Sequence, residues 1–305
     1  MFYSNYNLYD TTEPPNFATM KSVLIPIDFS EHSLNVISYG QKLFEKEETV
    51  FYLFAAFQMN VPSTIEDAWG NEWADNWESE DMELYVPGQD LEELVKKAKL
   101  NKINKKHQFK AVATVSALDE GIAEQVKTLG IGLILMSTKG ARGLKQFFLG
   151  SNAVNVINTV LDCSMMVVPR SYTSLKCPKQ VVFSTNFKRP FNAKEIQPLL
   201  DLLQQWEAKL KIVQLMDESY LDDNQKLHRD ALIHLLGEIP HFFHKIVYET
   251  SETNAIRDFV DETQSDMIAL IYHKQSFFYS LLQENVVEKT AFNSSVPLLV
   301  LRGLE

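Results

Sequence analysis

The chain has 305 residues, 45% of them hydrophobic and 23% charged, with a net charge of -11 at pH 7. That is ordinary globular composition over a length that suits two domains of roughly 100–200 residues each. A protein that wraps duplexes or lies on anionic membranes would be basic, so neither nucleic acid nor membrane is expected as a partner.

The opening, MFYSNYNLYDTTEPPNFAT, is polar and aromatic and carries Pro14 and Pro15. It has neither the basic nor the apolar region of a secretion signal. Residues 1–19 read as an extension or a disordered arm, and Met20 as an alternative start. VLIPIDF (23–29) is short, apolar and β-branched and runs into Ser30, as a buried strand ending at a helix N-cap does. A helix over 31–46 follows, with Leu34, Ile37, Leu43 and Phe44 at helical spacing. Strands are expected at 50–57 (VFYLFAAF), 110–116 (KAVATVS) and 131–137 (IGLILMS). A helix at 118–129 presents Ile122, Val126 and Leu129 on one face. After a glycine-containing loop come a helix at about 151–161 and the strand MMVVP (165–169). Strands alternating with helices imply a parallel sheet covered on both faces.

The pattern then restarts. VVFSTNF (181–187) matches VLIPIDF in length and character, and LKIVQLM (210–216), HKIVYET (244–250), DMIALIY (266–272) and VPLLVLR (296–302) read as further strands. Helices are expected near 254–264 and 281–292. This is an internal repeat of roughly 130–150 residues, joined by SYTSLKCP (171–178). The fold class is therefore α/β, with a first domain at 20–172 and a second at 178–305. Residues 58–105 depart from the repeat. They carry Trp69, Trp73 and Trp77 at steps of four, near one helix face, and eleven acidic residues between 63 and 93. Packing against the sheet or a partner subunit is one reading of this stretch, and a ligand lid is the other.

The chemistry concentrates in STKGARGLKQFFLGSNAVNV (137–156), which leaves the fourth strand and enters a helix. A turn there presents free backbone N–H groups, and the helix dipole favours an anion. Gly140 and Gly150 allow close approach to phosphate oxygens. Ser151 offers a hydroxyl, and Lys139 and Arg142 add positive charge. Strand carboxyl ends are also where ligands sit in open parallel sheets. Asp28, at the end of the first strand, faces the same crevice. It either accepts an adenine amino group or caps the following helix, and the two roles are compatible.

These residues carry a family resemblance. PIDFSEHS (26–33) resembles the opening of universal stress protein domains, as does the tail from the loop through LDCSMMVVP (161–169). The family spacing, Gly-x2-Gly-x9-Gly-Ser/Thr, is reproduced by Ser137, Gly140, Gly150 and Ser151, with serine in place of the first glycine. The resemblance covers about 20–170 well and 178–303 more weakly. It implies Rossmann-like, five-stranded parallel sheets of the adenine-nucleotide-binding type. It also implies ATP or another adenine nucleotide, with or without magnesium. By position, Pro26, Ile27 and Asp28 would hold adenine and Ala55 would flank the base or ribose. Ser137, Gly140, Gly150, Ser151 and Asn152 would hold ribose and phosphates, with Met136 and Lys139 completing the set. Family members pair through their last strands, so the tandem is expected to form an internal pseudo-dimer. A homodimer and an unidentified protein partner are the further associations to look for.

The second half has lost the motif. Asn186 stands where Asp28 stands, and HKQSFFYSLLQENVVEK (273–289) has no glycine. Lys274, Gln283 and Glu284 replace Gly140, Gly150 and Ser151. A carboxylate at a helix N-terminus suits the dipole but repels phosphate, so one nucleotide per chain at most is expected. Cys163 and Cys177 form neither a disulfide framework nor a zinc set, which fits the reducing cytoplasm where we expect the protein. His241 and His244 lack a third ligand cluster, so no metal site is expected. Hydrolase elbows, Walker loops and dinucleotide fingerprints are absent. Three functions compete: a nucleotide-binding stress regulator, a nucleotide-independent interaction module, and a slow ATP hydrolase. The hydrolase lacks an obvious general base, since Asp28 would be occupied with adenine.

Overall fold

The computed structural model describes residues 22–57, 89–138, 151–215, 221–246, 252–273 and 295–303. Its first half runs β1 (Ser22–Pro26), α1 (Glu31–Leu43), β2 (Val50–Phe57), α2 (Gln89–Leu100), β3 (Gln108–Val115), α3 (Leu118–Leu129), β4 (Leu133–Ser137), α4 (Ser151–Thr159) and β5 (Ser164–Val168). The second half runs β6 (Gln180–Thr185), α5 (Ala193–Trp206), β7 (Lys209–Leu215), α6 (Asp223–Leu236), β8 (His241–Ile246), α7 (Glu252–Glu262), β9 (Met267–Tyr272) and β10 (Leu298–Arg302). The tryptophan-bearing residues 58–88, the N-terminal arm and the helix expected near 281–292 lie outside the described residues.

Each half contributes five parallel strands, ordered β3-β2-β1-β4-β5 and β8-β7-β6-β9-β10. The two last strands meet antiparallel, Leu298 opposite Val167 and Val300 opposite Met165. The expected pairing therefore does more than bring two sheets together: it fuses them into one ten-stranded sheet. Composition explains the strand positions. Central strands such as β4 (LILMS) and β10 (LLVLR) are apolar on both sides because helices cover both faces. The outer strands β3 and β8 alternate or mix polar residues, and Phe242 and Phe243 of β8 remain 53% and 42% exposed. The strand expected at 244–250 is found at 241–246, beginning directly after Pro240.

One core layer lies under α1, α2, α5 and α6, and the other under α3, α4 and α7. Both layers run through the two halves without a break. Helix ends follow local chemistry. Ser30 accepts from Ser33 N to open α1, and Gly130, at φ 61°, closes α3 in the left-handed conformation that glycine adopts freely. Two capping boxes, Asn192 with Glu195 and Asp222 with Gln225, start α5 and α6. Gly40 lets α1 settle onto β4: a Cβ there would stand 2.8 Å from Leu135 Cδ2.

The halves are also joined by side chains. Arg302, at the end of β10, donates to Ile157 O at 2.9 Å and Leu161 O at 3.1 Å, and its guanidinium lies 4.8 Å from the Tyr272 ring centroid. The Tyr272 hydroxyl donates to Asn158 Oδ1 at 2.6 Å. Residues of the second half thus satisfy the orphan carbonyls at the C-terminal end of α4, a helix of the first.

Candidate functional site

In the first half the chain runs from β1 through α1 to β2 and on to β3 on one side of β1, then crosses back from β3 through α3 to β4 on the other side. The strand ends splay at that switch point, and such sheets hold ligands there. The crevice has a volume of about 750 Å³, within the range usual for small-molecule sites. Pro26, Ile27 and Asp28 line it from β1, Met136 and Ser137 from β4, and Ser151 and Asn152 from the first turn of α4. Seven of the expected residues therefore converge on one cavity. Ala55 does not: it sits on β2 opposite Ala113, 2% exposed in the core, off the crevice wall. Lys139, Gly140 and Gly150 lie outside the described residues.

The floor is held by a tight turn after β1. Ile27 N donates to Phe54 O at 2.7 Å, and Phe29 takes the left-handed φ of 57°. Asp28 Oδ1 accepts from Ser30 N at 3.1 Å and Ser30 Oγ at 2.6 Å. Ser30 in turn caps α1, and Ser33 Oγ donates back to Ser30 O at 2.9 Å. Of the two roles open to Asp28, organising the helix cap is the one these bonds perform. The exposed carboxylate still faces the cavity.

Sequence reasoning missed part of the wall. Arg170 and His32 also line the crevice, as does Thr138, which is 3% exposed. His32 Nδ1 and Thr138 Oγ1 are buried with no hydrogen-bond partner among the described residues. Burying polar atoms unpaired costs about 1–3 kcal/mol each, and groups of this kind beside a cavity suit a polar ligand. Thr138 could have been found from its place one residue past Ser137, on the strand end. Arg170 could have been found as the first cation after β5. Among the described residues no group of histidine, cysteine, aspartate or glutamate could hold a metal by itself. His241 Nδ1 donates to Ile239 O at 2.8 Å, and the His244 ring packs 4.9 Å from Phe259.

The matching region of the second half is built differently. The turn recurs, with Asn186 Oδ1 accepting from Lys188 N at 3.0 Å and Phe187 at φ 54°. Here, however, Phe187 is fully buried, against Phe191 and Phe243. Gln225 Nε2 donates to Asn186 O at 2.9 Å and His228 Nδ1 to Phe187 O at 2.8 Å. Side chains of α6 therefore satisfy the turn that the first half leaves beside a cavity. Lys274, Gln283 and Glu284 lie outside the described residues.

Residues 19–169 match the model of the universal stress protein family. No curated protein matches the sequence. Among solved structures, a universal stress protein from Archaeoglobus fulgidus is similar along nearly the whole length. It shares 17% identity, the match covers 93% of this chain and 99% of that one, and the TM-score is 0.64. A functionally unknown protein from Pseudomonas aeruginosa is similar at 11% identity, 93% coverage of both chains and a TM-score of 0.59. The cytoplasmic domain of a prokaryotic cation chloride cotransporter shares the fold at 6% identity, over 93% of this chain and 95% of that one, with a TM-score of 0.52. At these identities the structural likenesses establish the fold. Among the described residues no helix is long and apolar enough to cross a membrane. With the family match on its first half and the same strand order repeated in its second, the chain belongs to the universal stress protein family, as a tandem of two such folds.

Proposed function

We propose that the first-half crevice binds an adenine nucleotide, ATP or a close relative, with magnesium accompanying its phosphates. One nucleotide binds per chain, in a domain spanning 20–172, and the domain at 178–305 acts as its structural partner. Nucleotide occupancy sets the shape or the partner choice of a cytoplasmic stress-response regulator. The observation that carries this reading is the convergence of Pro26, Asp28, Met136, Ser137 and Ser151 on one 750 Å³ crevice at the sheet's switch point. Adenine lies against the end of β1, and the phosphates lie at the N-terminus of α4, where Ser151 and the helix dipole favour negative charge. Calorimetry with ATP, ADP and AMP on protein stripped of endogenous ligand is the test. Saturable heat at one site per chain is expected, and no heat up to millimolar nucleotide overturns the reading.

Edge strand β8, with exposed Phe242 and Phe243, favours a second reading as a nucleotide-independent interaction module. In that case Gly150→Asp leaves partner binding intact, and a homodimer forms through surfaces other than the last strands, which are already paired.

A further inference from the structure

At the far end of α1 from the nucleotide crevice, a second cavity of about 310 Å³ opens between the two halves of the chain. Its walls come from the end of α1, the linker before β6 and the end of α5. Four of its nine lining residues are lysines, in a chain with a net charge of -11: Lys42, Lys46, Lys176 and Lys179.

Two helices end at this cavity, and helix C-termini attract cations in their own right. Here most of that demand is met by other donors. Leu43 O accepts from Gln205 Nε2 at 2.6 Å and from Trp206 Nε1 at 2.9 Å. Lys42 O accepts from Cys177 Sγ at 3.2 Å. Lys179 alone among the four caps a helix carbonyl through its ammonium, donating to Trp206 O. Lys42 pairs with Glu45, and Lys46 lies 3.6 Å from Glu207 across an exposed gap. Among the described residues Lys176 has no carboxylate partner. Four ammonium groups thus stand against two carboxylates, around a cavity whose helix-end carbonyls are already occupied.

We infer that this cavity is an anion site between the halves, for a free small ligand with two or more negative charges, on the scale of a phosphorylated metabolite. Its volume of about 310 Å³ is at the lower end of small-molecule pockets, which suits a compact anion. The excess of lysines supplies the charge complement, and Trp206, 2% exposed, gives the cavity a rigid wall. A ligand here touches α1, the linker and α5 together, and so ties one half to the other.

Cys177 lines the cavity and reports on it. Partial burial, then the nearby Glu45, hold its thiol above the usual range, so alkylation is followed at about pH 9. Cys163 serves as the internal control, because burial pushes its thiol up to about 12. The full chain is alkylated with neutral iodoacetamide in sodium pyrophosphate or in sodium chloride of equal ionic strength, and each cysteine is quantified by peptide mass spectrometry. Pyrophosphate is expected to slow Cys177 alkylation saturably by about fivefold, since a bound anion both covers the thiol and disfavours its thiolate. In the double variant Lys46→Gln, Lys176→Gln, half-saturation should need about tenfold more pyrophosphate. Gly150→Asp, altered only in the nucleotide loop, should keep the protection. Equal slowing in chloride, unchanged protection in the double lysine variant, or loss of protection in Gly150→Asp would each overturn the assignment.

Discussion

The two halves fold the same turn after their first strands and use it in opposite ways. In the first, Phe29 is 39% exposed, Asp28 lines a crevice, and Thr138 and His32 have buried polar atoms beside it with no partner among the described residues. In the second, Phe187 is swallowed by an aromatic cluster, and Gln225 and His228 reach from α6 to satisfy the turn's carbonyls. Duplicated backbones need not carry duplicated sites. A half that fills its crevice with its own side chains gains the stability that a half keeping an open crevice forgoes.

The sharpest way to break this contrast is to give the first half the charge that the second carries. Ser151→Glu puts a carboxylate at the N-terminus of α4, as Glu284 stands in the aligned loop. Nucleotide affinity should fall about 100-fold by calorimetry, since like charges at close range cost several kcal/mol in a partly buried site. Unchanged affinity would mean that phosphate does not sit there. Next in size is the clamp between the halves. Arg302→Met removes the bonds to Ile157 O of α4 and to Leu161 O just beyond it, and should lower the unfolding free energy by about 2 kcal/mol in urea titrations. If the halves were independent, only the second would lose stability. Gln225→Leu removes both a capping-box member and the bond to Asn186 O, and about 1.5 kcal/mol should be lost. No loss would show that α6 does not hold the second turn.

The smallest effect concerns acid. Burial holds the His107, His244 and His273 rings below the ordinary value of 6.5, with Lys211 adding to the effect at His244. The unfolded chain therefore takes up protons that the folded one resists. This contribution to stability is complete above about pH 6.5 and is lost as pH falls below it toward the folded values. One of the three rings is in the first half, hydrogen-bonded to Phe44 O, and two are in the second. Hydrogen exchange should show the second half loosening first on acidification. Uniform loosening would remove that difference between the halves.

Much of this fold was legible because buried parallel strands are written as short apolar runs. VFYLFAAF and the helix at 118–129 fall where periodicity puts them. Helices α5 and α6 fall outside the expected elements, although Asn192 with Glu195 and Asp222 with Gln225 are capping boxes visible in the sequence. Strand β8 begins three residues before the expected start, because an edge strand with both faces partly wet lacks the clean alternation that fixes a boundary. The family resemblance names Pro26, Ile27, Asp28, Met136 and Ser137, strand-end residues that line the crevice. Arg170 and His32 fall outside the family spacing and reach the crevice only through tertiary packing, while Ala55 is buried on β2 and is not among the residues that line it.

The antiparallel seam between β5 and β10 has a consequence for how the protein is made. Strand β5 leaves the ribosome about 130 residues before its partner β10, which at ordinary elongation rates is a wait of roughly 7–26 s. Through that interval SMMVV is an apolar strand with an open edge, the kind that recruits other chains. Translation that stops short of residues 298–302 leaves the same edge bare for good. The product of such a truncation is then an aggregation seed rather than a smaller stress protein, and quality control has reason to intercept the chain during synthesis.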